Sequence, residues 1–164
     1  MIFVTVGTQL AFDRLVAAVD VWAGANPSVR VFAQIGPAEQ NPRHIEHAPF
    51  LSPSRTQALM EEAELIVAHA GMGTVLSALG MGKPILILPR RAGLGEHRND
   101  HQLATARWLE GRPGVHVAWE TPDLGPMLDG RQRLAGGAAI APFASGALVE
   151  RLRLEVTRAL DRDQ

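Results

Sequence analysis

The sequence predicts an α/β domain: a mostly parallel, Rossmann-like sheet with helices on both faces. Three observations carry this. Residues 2–6, 65–68 and 84–88 are short runs, apolar on both faces, which suits central parallel strands buried on either side. Stretches with apolar residues at helical spacing alternate with them. Gly, Pro, Ser or Asn stands at nearly every junction. At 164 residues the chain has the length of one domain, and residues 1–164 are read as such.

The first strand is residues 2–6. A turn follows at Gly7, Thr8 and Gln9. Phe12, Leu15, Val16 and Val19 then recur at helical spacing until Gly24 and Asn26-Pro27 end the helix. Residues 29–34 read as a strand stopped by Gly36-Pro37, residues 37–47 as a polar, Pro-rich loop, and residues 47–51 as a short strand. Ser52 is a good N-cap and Pro53 suits a first helical position, so a helix opens there and continues from Thr56 to Ala63. After the strand at 65–68, Gly71-Met72-Gly73 turns the chain into a helix over about residues 74–81, with Gly82 at its C-terminal end. Residues 84–88 form the next strand, and residues 89–98 a loop. Asn99 or Asp100 caps a helix reaching about residue 110, and residues 115–118 form a further strand. A Gly/Ala-rich stretch at 135–139 precedes a last amphipathic helix near residues 142–160, with Leu148, Leu152, Val156 and Leu160 among its apolar positions.

Composition narrows the function. Net charge is −1, so no overall basic field argues for nucleic acid or anionic lipid. The absence of cysteine excludes a disulfide framework, a thiolate metal site and a cysteine nucleophile, and fits a reducing cytoplasm. The N-terminus has no signal-peptide pattern, and no run approaches the roughly 20 apolar residues that span a bilayer. Work at a membrane would need something else to hold the protein there.

Three strand-to-helix loops should lie along one edge of the sheet. In the first, Gly7 lets backbone approach a ligand and Thr8 offers a hydroxyl to a phosphate oxygen. A plain tight turn has the same signature. The second is His69-Ala70-Gly71-Met72-Gly73-Thr74. Its glycines free the backbone, and the helix start presents unpaired N–H groups and the positive end of the dipole. This suits a diphosphate, with Thr74 adding a hydroxyl. It is neither a Walker A loop, since Lys83 lies at the far end of the helix, nor the three-glycine dinucleotide fingerprint. His69 equally suits a structural histidine at a strand end. The third loop runs from Arg90 and Arg91 through Glu96, His97, Arg98, Asn99 and Asp100 to His101 and Gln102. Its polar groups suit sugar hydroxyls, or simply a solvated, capped helix start. The spacing of His97, Asp100 and His101 matches no standard zinc or iron set, so no metal is expected. No Ser/His/Asp triad or nucleophile elbow is readable, and the carboxylates are too scattered for a paired-carboxylate hydrolase.

The pattern His69-Ala70-Gly71-x-Gly73-Thr74, then Gly82-Lys83-Pro84, a strand ending in Pro89, and His101-Gln102 with Ala104 and Leu109 resembles the C-terminal domain of family 28 glycosyltransferases. The opening Phe3-Val4-Thr5-Val6-Gly7-Thr8, followed by Phe12-Asp13-Arg14-Leu15, is similar to the stand-alone donor-binding subunits of that family. Those subunits serve split transferases of dolichol-linked oligosaccharide synthesis and of bacterial exopolysaccharide and capsule synthesis. Pro89-Arg90-Arg91, Glu96-His97 and Asp100-His101-Gln102 look closest to the bacterial branch. The resemblance covers about residues 1–110.

The resemblance implies one Rossmann-like half of a GT-B enzyme, acting as the donor-binding catalytic subunit of an inverting transferase. It implies a UDP-sugar donor, a lipid-linked glycan acceptor and a membrane-associated acceptor-binding partner. The chain would be cytoplasmic, recruited through that partner to the inner face of the membrane. Gly7 and Thr8 would face the phosphates. The backbone near Phe50 and Leu51 would meet the uracil. Met72, Gly73 and Thr74 would hold the diphosphate, and His101 and Gln102 the donor sugar, with His69, Gly71, Arg90 and His97 also among the donor-binding residues. No metal or other cofactor is implied, because helix dipole and backbone donors stabilise the leaving diphosphate. Many relatives place a glutamate where Ser77 stands, so ribose recognition falls to that serine or moves to Glu96. The general base is expected on the partner, with His69 and Glu96 the local candidates. Arg90, Arg91 and Arg98 could meet a sugar carboxylate, the partner or anionic headgroups. The donor sugar is open. The alternative is a non-catalytic scaffold with vestigial loops, and an independent hydrolase or epimerase is disfavoured because one domain leaves an open crevice.

Overall fold

The computed structural model describes residues 1–141, 143 and 145–162, with side chains through residue 158. Six strands, β1 (Ile2–Thr5), β2 (Val31–Gln34), β3 (Glu46–Ala48), β4 (Leu65–His69), β5 (Ile85–Leu88) and β6 (Val115–Val117), form one sheet in the order β3-β2-β1-β4-β5-β6. Every pairing is parallel. The chain winds outward from β1 to one edge, returns to β4, and winds to the other edge. The switch point therefore lies between β1 and β4, where such sheets open a crevice beyond their strand ends.

Period-two alternation distributes the strand residues between two cores. Ile2, Val4, Val67, Leu86 and Leu88 face α1 (Asp13–Ala25) and α5 (Thr121–Asp129) through Leu15, Val16, Val19, Leu124 and Leu128. Phe3, Ile66, Ala68, Ile85 and Ile87 face α2 (Pro53–Glu62), α3 (Met72–Gly80) and α4 (His101–Leu109) through Leu59, Met60, Val75, Ala78, Ala106 and Leu109. Each large apolar side chain buried this way contributes roughly 1.5–3 kcal/mol. The β2–β3 connection has no α-helix. It is held by buried Asp20 of α1, whose carboxylate accepts the N–H groups of Arg43 and His44.

Several elements depart from the sequence reading, the second strand among them, which is Val31–Gln34 rather than 29–34. The third strand is Glu46–Ala48 rather than 47–51, because Pro49 has no N–H to continue the ladder. Helix α3 starts at Met72, two residues early, since extended Gly71 serves as its N-cap and Gly73 is tolerated in the first turn. At α4 the cap is split. The carboxylate of Asp100 accepts from Ala92 N–H at 2.9 Å, and Asn99 Oδ1 takes the His101 N–H at 3.2 Å.

Helix α5 was not read from sequence at all, because Pro122, Gly125 and Pro126 disguise it. Pro122 sits in the first turn, where a missing N–H costs nothing. The Asp123 carboxylate accepts the N–H groups of Trp119 and Glu120, and Leu124 and Leu128 are fully buried. Burial outweighs propensity here.

Helix α6 (Gly146–Arg162) leaves Leu148, Val149, Leu152, Leu154 and Val156 exposed. The expected start at Pro142 and the side chain of Leu160 lie outside the described residues.

Candidate functional site

At the switch point a cleft of about 500 Å³ opens over the C-terminal ends of β1 and β4. One wall is the β1–α1 loop from Gly7 to Leu10. The opposite wall is the start of α3, with Gly71, Gly73, Thr74 and Ser77. Leu51, Thr56 and Met60 close one end, and His69, Arg90, His97 and Gln102 form the floor and the other end. No carboxylate lines it, and Arg90 is its one permanent charge among the described residues.

The cradle at α3 follows from its cap. Gly71 is extended, and Val75 N–H makes the first helical bond, to Gly71 O at 3.1 Å. The N–H groups of Met72, Gly73 and Thr74 therefore make no hydrogen bond within the described chain, at the positive end of the helix. The Ser77 hydroxyl donates to Gly73 O at 2.9 Å, which leaves its oxygen as an acceptor toward the cleft.

The opposite wall is set by β1 and β2. Thr5 Oγ donates to Gln34 Oε1 at 2.6 Å, and Gln34 Nε2 donates to Gly7 O at 3.0 Å. Gly7 has φ +77°, which an L side chain rarely adopts. A Cβ there would also stand 2.8 Å from His69 Nε2, and one on Gly71 would stand 2.0 Å from His69 Cε1. Both glycines are the space into which the His69 ring fits.

The protonation of that ring can be deduced. Gln102 Oε1 accepts two backbone N–H groups, from Ala70 at 3.1 Å and Arg90 at 3.2 Å. The oxygen end of the amide is thereby fixed, and its NH2 end must face His69 Nδ1 at 3.1 Å. Nδ1 is then the acceptor, so the neutral ring carries its proton on Nε2, beside the Gly7 turn. Burial, then the charge of Arg90, pull the His69 pKa from 6.5 to about 4. At neutral pH the ring is an uncharged N–H donor.

Arg90 is 3% exposed. Its guanidinium donates to Val6 O and Leu10 O at 2.7 Å, to Ala11 O, and to Glu96 O at 3.1 Å. It also stacks on Phe12, 4.5 Å from the ring centre. In return Arg14 of α1 reaches the β5–α4 loop. It grips Glu96 in a bidentate pair at 2.7 and 2.9 Å, and donates to Pro89 O at 3.1 Å and Thr121 Oγ1 at 3.1 Å. Glu96 completes itself by accepting Arg91 N–H at 2.9 Å.

The predicted residues thus separate into groups. Gly7, Thr8, Leu51, His69, Gly71, Gly73, Thr74, Ser77 and His97 line one cleft. Phe50 stands at its edge, 54% exposed, and Met72 turns its side chain outward while its N–H remains at the cradle. His101 is exposed and does not line the cleft. Gln102 and Arg90 do line it, but their polar atoms serve main-chain groups and His69. Glu96 is occupied by Arg14. Sequence reasoning missed Gln34, Thr5 and Thr56. The polar pair Thr5–Gln34 inside otherwise apolar strands was the available signal. Among the described residues no three His, Cys, Asp or Glu side chains gather as metal ligands.

The comparisons agree with this architecture. The solution structure of ALG13 overlays with a TM-score of 0.58 at 18% identity, covering 92% of this chain and 93% of that one. MurG from Acinetobacter baumannii overlays at 0.57 and 20% identity, covering 80% of this chain and 41% of that one. The glycotransferase of kitacinnamycin overlays at 0.60 and 20% identity, covering 79% and 34%. The fold is that of one half of a GT-B glycosyltransferase. In sequence, 121 residues are 30% identical to the mouse (Mus musculus) UDP-N-acetylglucosamine transferase subunit ALG13, over 65% of this chain. The chain spans about 10% of that relative's length. Residues 1–112 match the model of the glycosyltransferase family 28 C-terminal domain, more than half of the chain, and the protein belongs to that family.

Proposed function

We propose that the protein is the donor-binding catalytic subunit of a two-subunit inverting glycosyltransferase that takes its sugar from a UDP-sugar. The observation that carries this is the cleft itself. Unpaired N–H groups of Met72, Gly73 and Thr74 face the Gly7–Thr8 turn across a space with one buried cation and no carboxylate. That is an environment for a diphosphate, and leaving-group charge that develops there meets donors already in place. His69 Nε2–H adds a neutral donor. The Leu51 and Thr56 end suits a uracil beside Phe50, and the Ser77 oxygen suits one ribose hydroxyl. The mouse relative is a UDP-N-acetylglucosamine transferase subunit, which supports both a uridine nucleotide and a multi-subunit enzyme.

The general base is assigned to a partner. His69 has its proton on Nε2 and its other nitrogen engaged, and Glu96 is locked to Arg14. Neither local candidate is free to take a proton from an acceptor hydroxyl. The exposed apolar residues of α6 support such a partner, and no described helix is long and apolar enough to cross a membrane. We place the lipid-linked acceptor, and attachment to the inner face of the membrane, with that second subunit. His97 is the sugar contact that the geometry favours over His101 and Gln102. The unpaired N–H groups of the cradle and the hydrogen-bonded residues beneath it speak against a vestigial site.

Calorimetry with UDP tests the reading. Binding is expected, and Thr74→Ala should weaken it by about ten- to a hundredfold, the cost of one lost hydrogen bond to a charged group. Absence of UDP binding with the partner present would overturn it.

A further inference from the structure

Two arginines are exchanged between the loops that follow β1 and β5. These strands are not neighbours, since β4 lies between them. Arg90, at the end of β5, reaches over β4 to the carbonyls of Val6, Leu10 and Ala11 in the β1–α1 loop. Arg14, from the first turn of α1, reaches the other way to Pro89 O and the Glu96 carboxylate. Each guanidinium lies against Phe12, at 4.5 Å for Arg90 and 5.3 Å for Arg14. Arg90 makes four hydrogen bonds to main-chain carbonyls and, among the described residues, none to a side chain.

We infer that this reciprocal clasp is a positioning device: Arg90, braced by the Arg14–Glu96 pair, sets the height and orientation of the Gly7–Gln9 turn, and so the phosphate half of the donor site. The inference deepens the UDP reading and rests on it. The reasoning is one of carbonyl orientation. A loop whose carbonyls at 6, 10 and 11 are drawn inward onto one fork is free to present the intervening N–H groups to the cleft. Those of Thr8 and Gln9 have no partner within the described chain. The fork is planar and rigid, so a lysine preserves the charge and loses the geometry. The Gln34–Gly7 bond holds the start of the turn from the other side, which leaves the clasp to fix its far end. The uracil end, at Leu51 and Thr56, is on separate elements and does not depend on it.

The test compares UDP with uridine on the full chain, by calorimetry for UDP and NMR titration for uridine. Arg90→Lys should lower UDP affinity about tenfold or more and leave uridine affinity within a factor of two. Amide exchange at Thr8 and Gln9 should speed up. Glu96→Gln, which loosens the Arg14 brace while leaving the Arg90 fork and the Glu96 carbonyl it donates to in place, should give the same pattern in weaker form, and it reports if Arg90→Lys does not fold. Equal losses for both ligands, or lowered thermal stability with the UDP-to-uridine ratio unchanged, would overturn the clasp. A wild-type chain that binds uridine and UDP equally, or that binds neither even with the partner present, would overturn the donor-site reading beneath it.

Discussion

Acidification should destabilise this fold through His69, and the effect can be worked from its surroundings. Folding lowers the pKa from 6.5 to about 4, because the ring is buried, Arg90 lies beside it, and His97 adds to the effect. The Gln102 NH2 donates to Nδ1 only while that nitrogen is unprotonated, so this contact too favours the neutral ring. The unfolded chain therefore binds more protons than the folded one between those two values. Stability rises with pH wherever that holds, so the contribution is full above pH 6.5 and is lost progressively as pH falls toward 4. At about 1.4 kcal/mol per pH unit, the loss approaches 3 kcal/mol, a substantial part of the roughly 5–15 kcal/mol that holds a domain together. Carboxylates titrate in the same range, so the measurement is a difference. Urea midpoints from pH 7 to 4 are compared for the wild type and for His69→Asn, which keeps an acceptor toward Gln102 but cannot titrate. The wild type should lose about 3 kcal/mol more than the variant. Nitrogen-15 NMR should show the neutral ring protonated on Nε2 and still neutral at pH 5. Parallel pH curves, a ring protonated on Nδ1, or titration near 6.5 would refute the reasoning.

Two further substitutions probe the same cleft. Gly71→Ala puts a methyl 2.0 Å from His69 Cε1, so the ring must leave its pocket and lose Gln102. The NMR pKa of His69 should move up toward 6.5, and UDP affinity should fall about tenfold or more. Ser77→Glu adds a carboxylate one turn into α3, facing a cleft that has none. Calorimetry should show UDP binding strengthened several-fold, and no gain for the 2′,3′-dideoxy nucleotide if the carboxylate reads ribose hydroxyls.

Much of the fold was legible because parallel sheets write themselves plainly. The runs at β1, β4 and β5 are apolar on both faces, and helices between them left no other topology class. The cradle at Gly71–Thr74 was legible for the same reason, since two glycines between a buried strand and a helix have few other uses. Helix α5 was illegible because its sequence carries two prolines and a glycine. Only the burial of Leu124 and Leu128, a tertiary fact, rescues it. The third loop was legible as polar but not as to its purpose. An arginine's type says nothing about whether its fork meets a phosphate, a carboxylate or four carbonyls. Arg90, Glu96 and Gln102 read as ligand contacts, and the structure turns all three inward.

That inward turn changes how the site would recognise the proposed ligand. If the polar side chains of the third loop are occupied with holding loops together, the contacts left for an anion are mostly main-chain N–H groups and small hydroxyls. Such donors do not change with side-chain identity, so recognition of the proposed diphosphate would depend on where the backbone is held. The buried polar residues hold it: Gln34 and Arg90 one wall, and Gln102 the junction of β4, β5 and α4. Each is satisfied by hydrogen bonds, as a buried polar group must be. Removing one leaves unpaired carbonyls or N–H groups directly beneath the cleft. Substitutions at these inward residues are therefore expected to act on binding as strongly as substitutions at residues the ligand touches. They should do so by moving donors rather than deleting them.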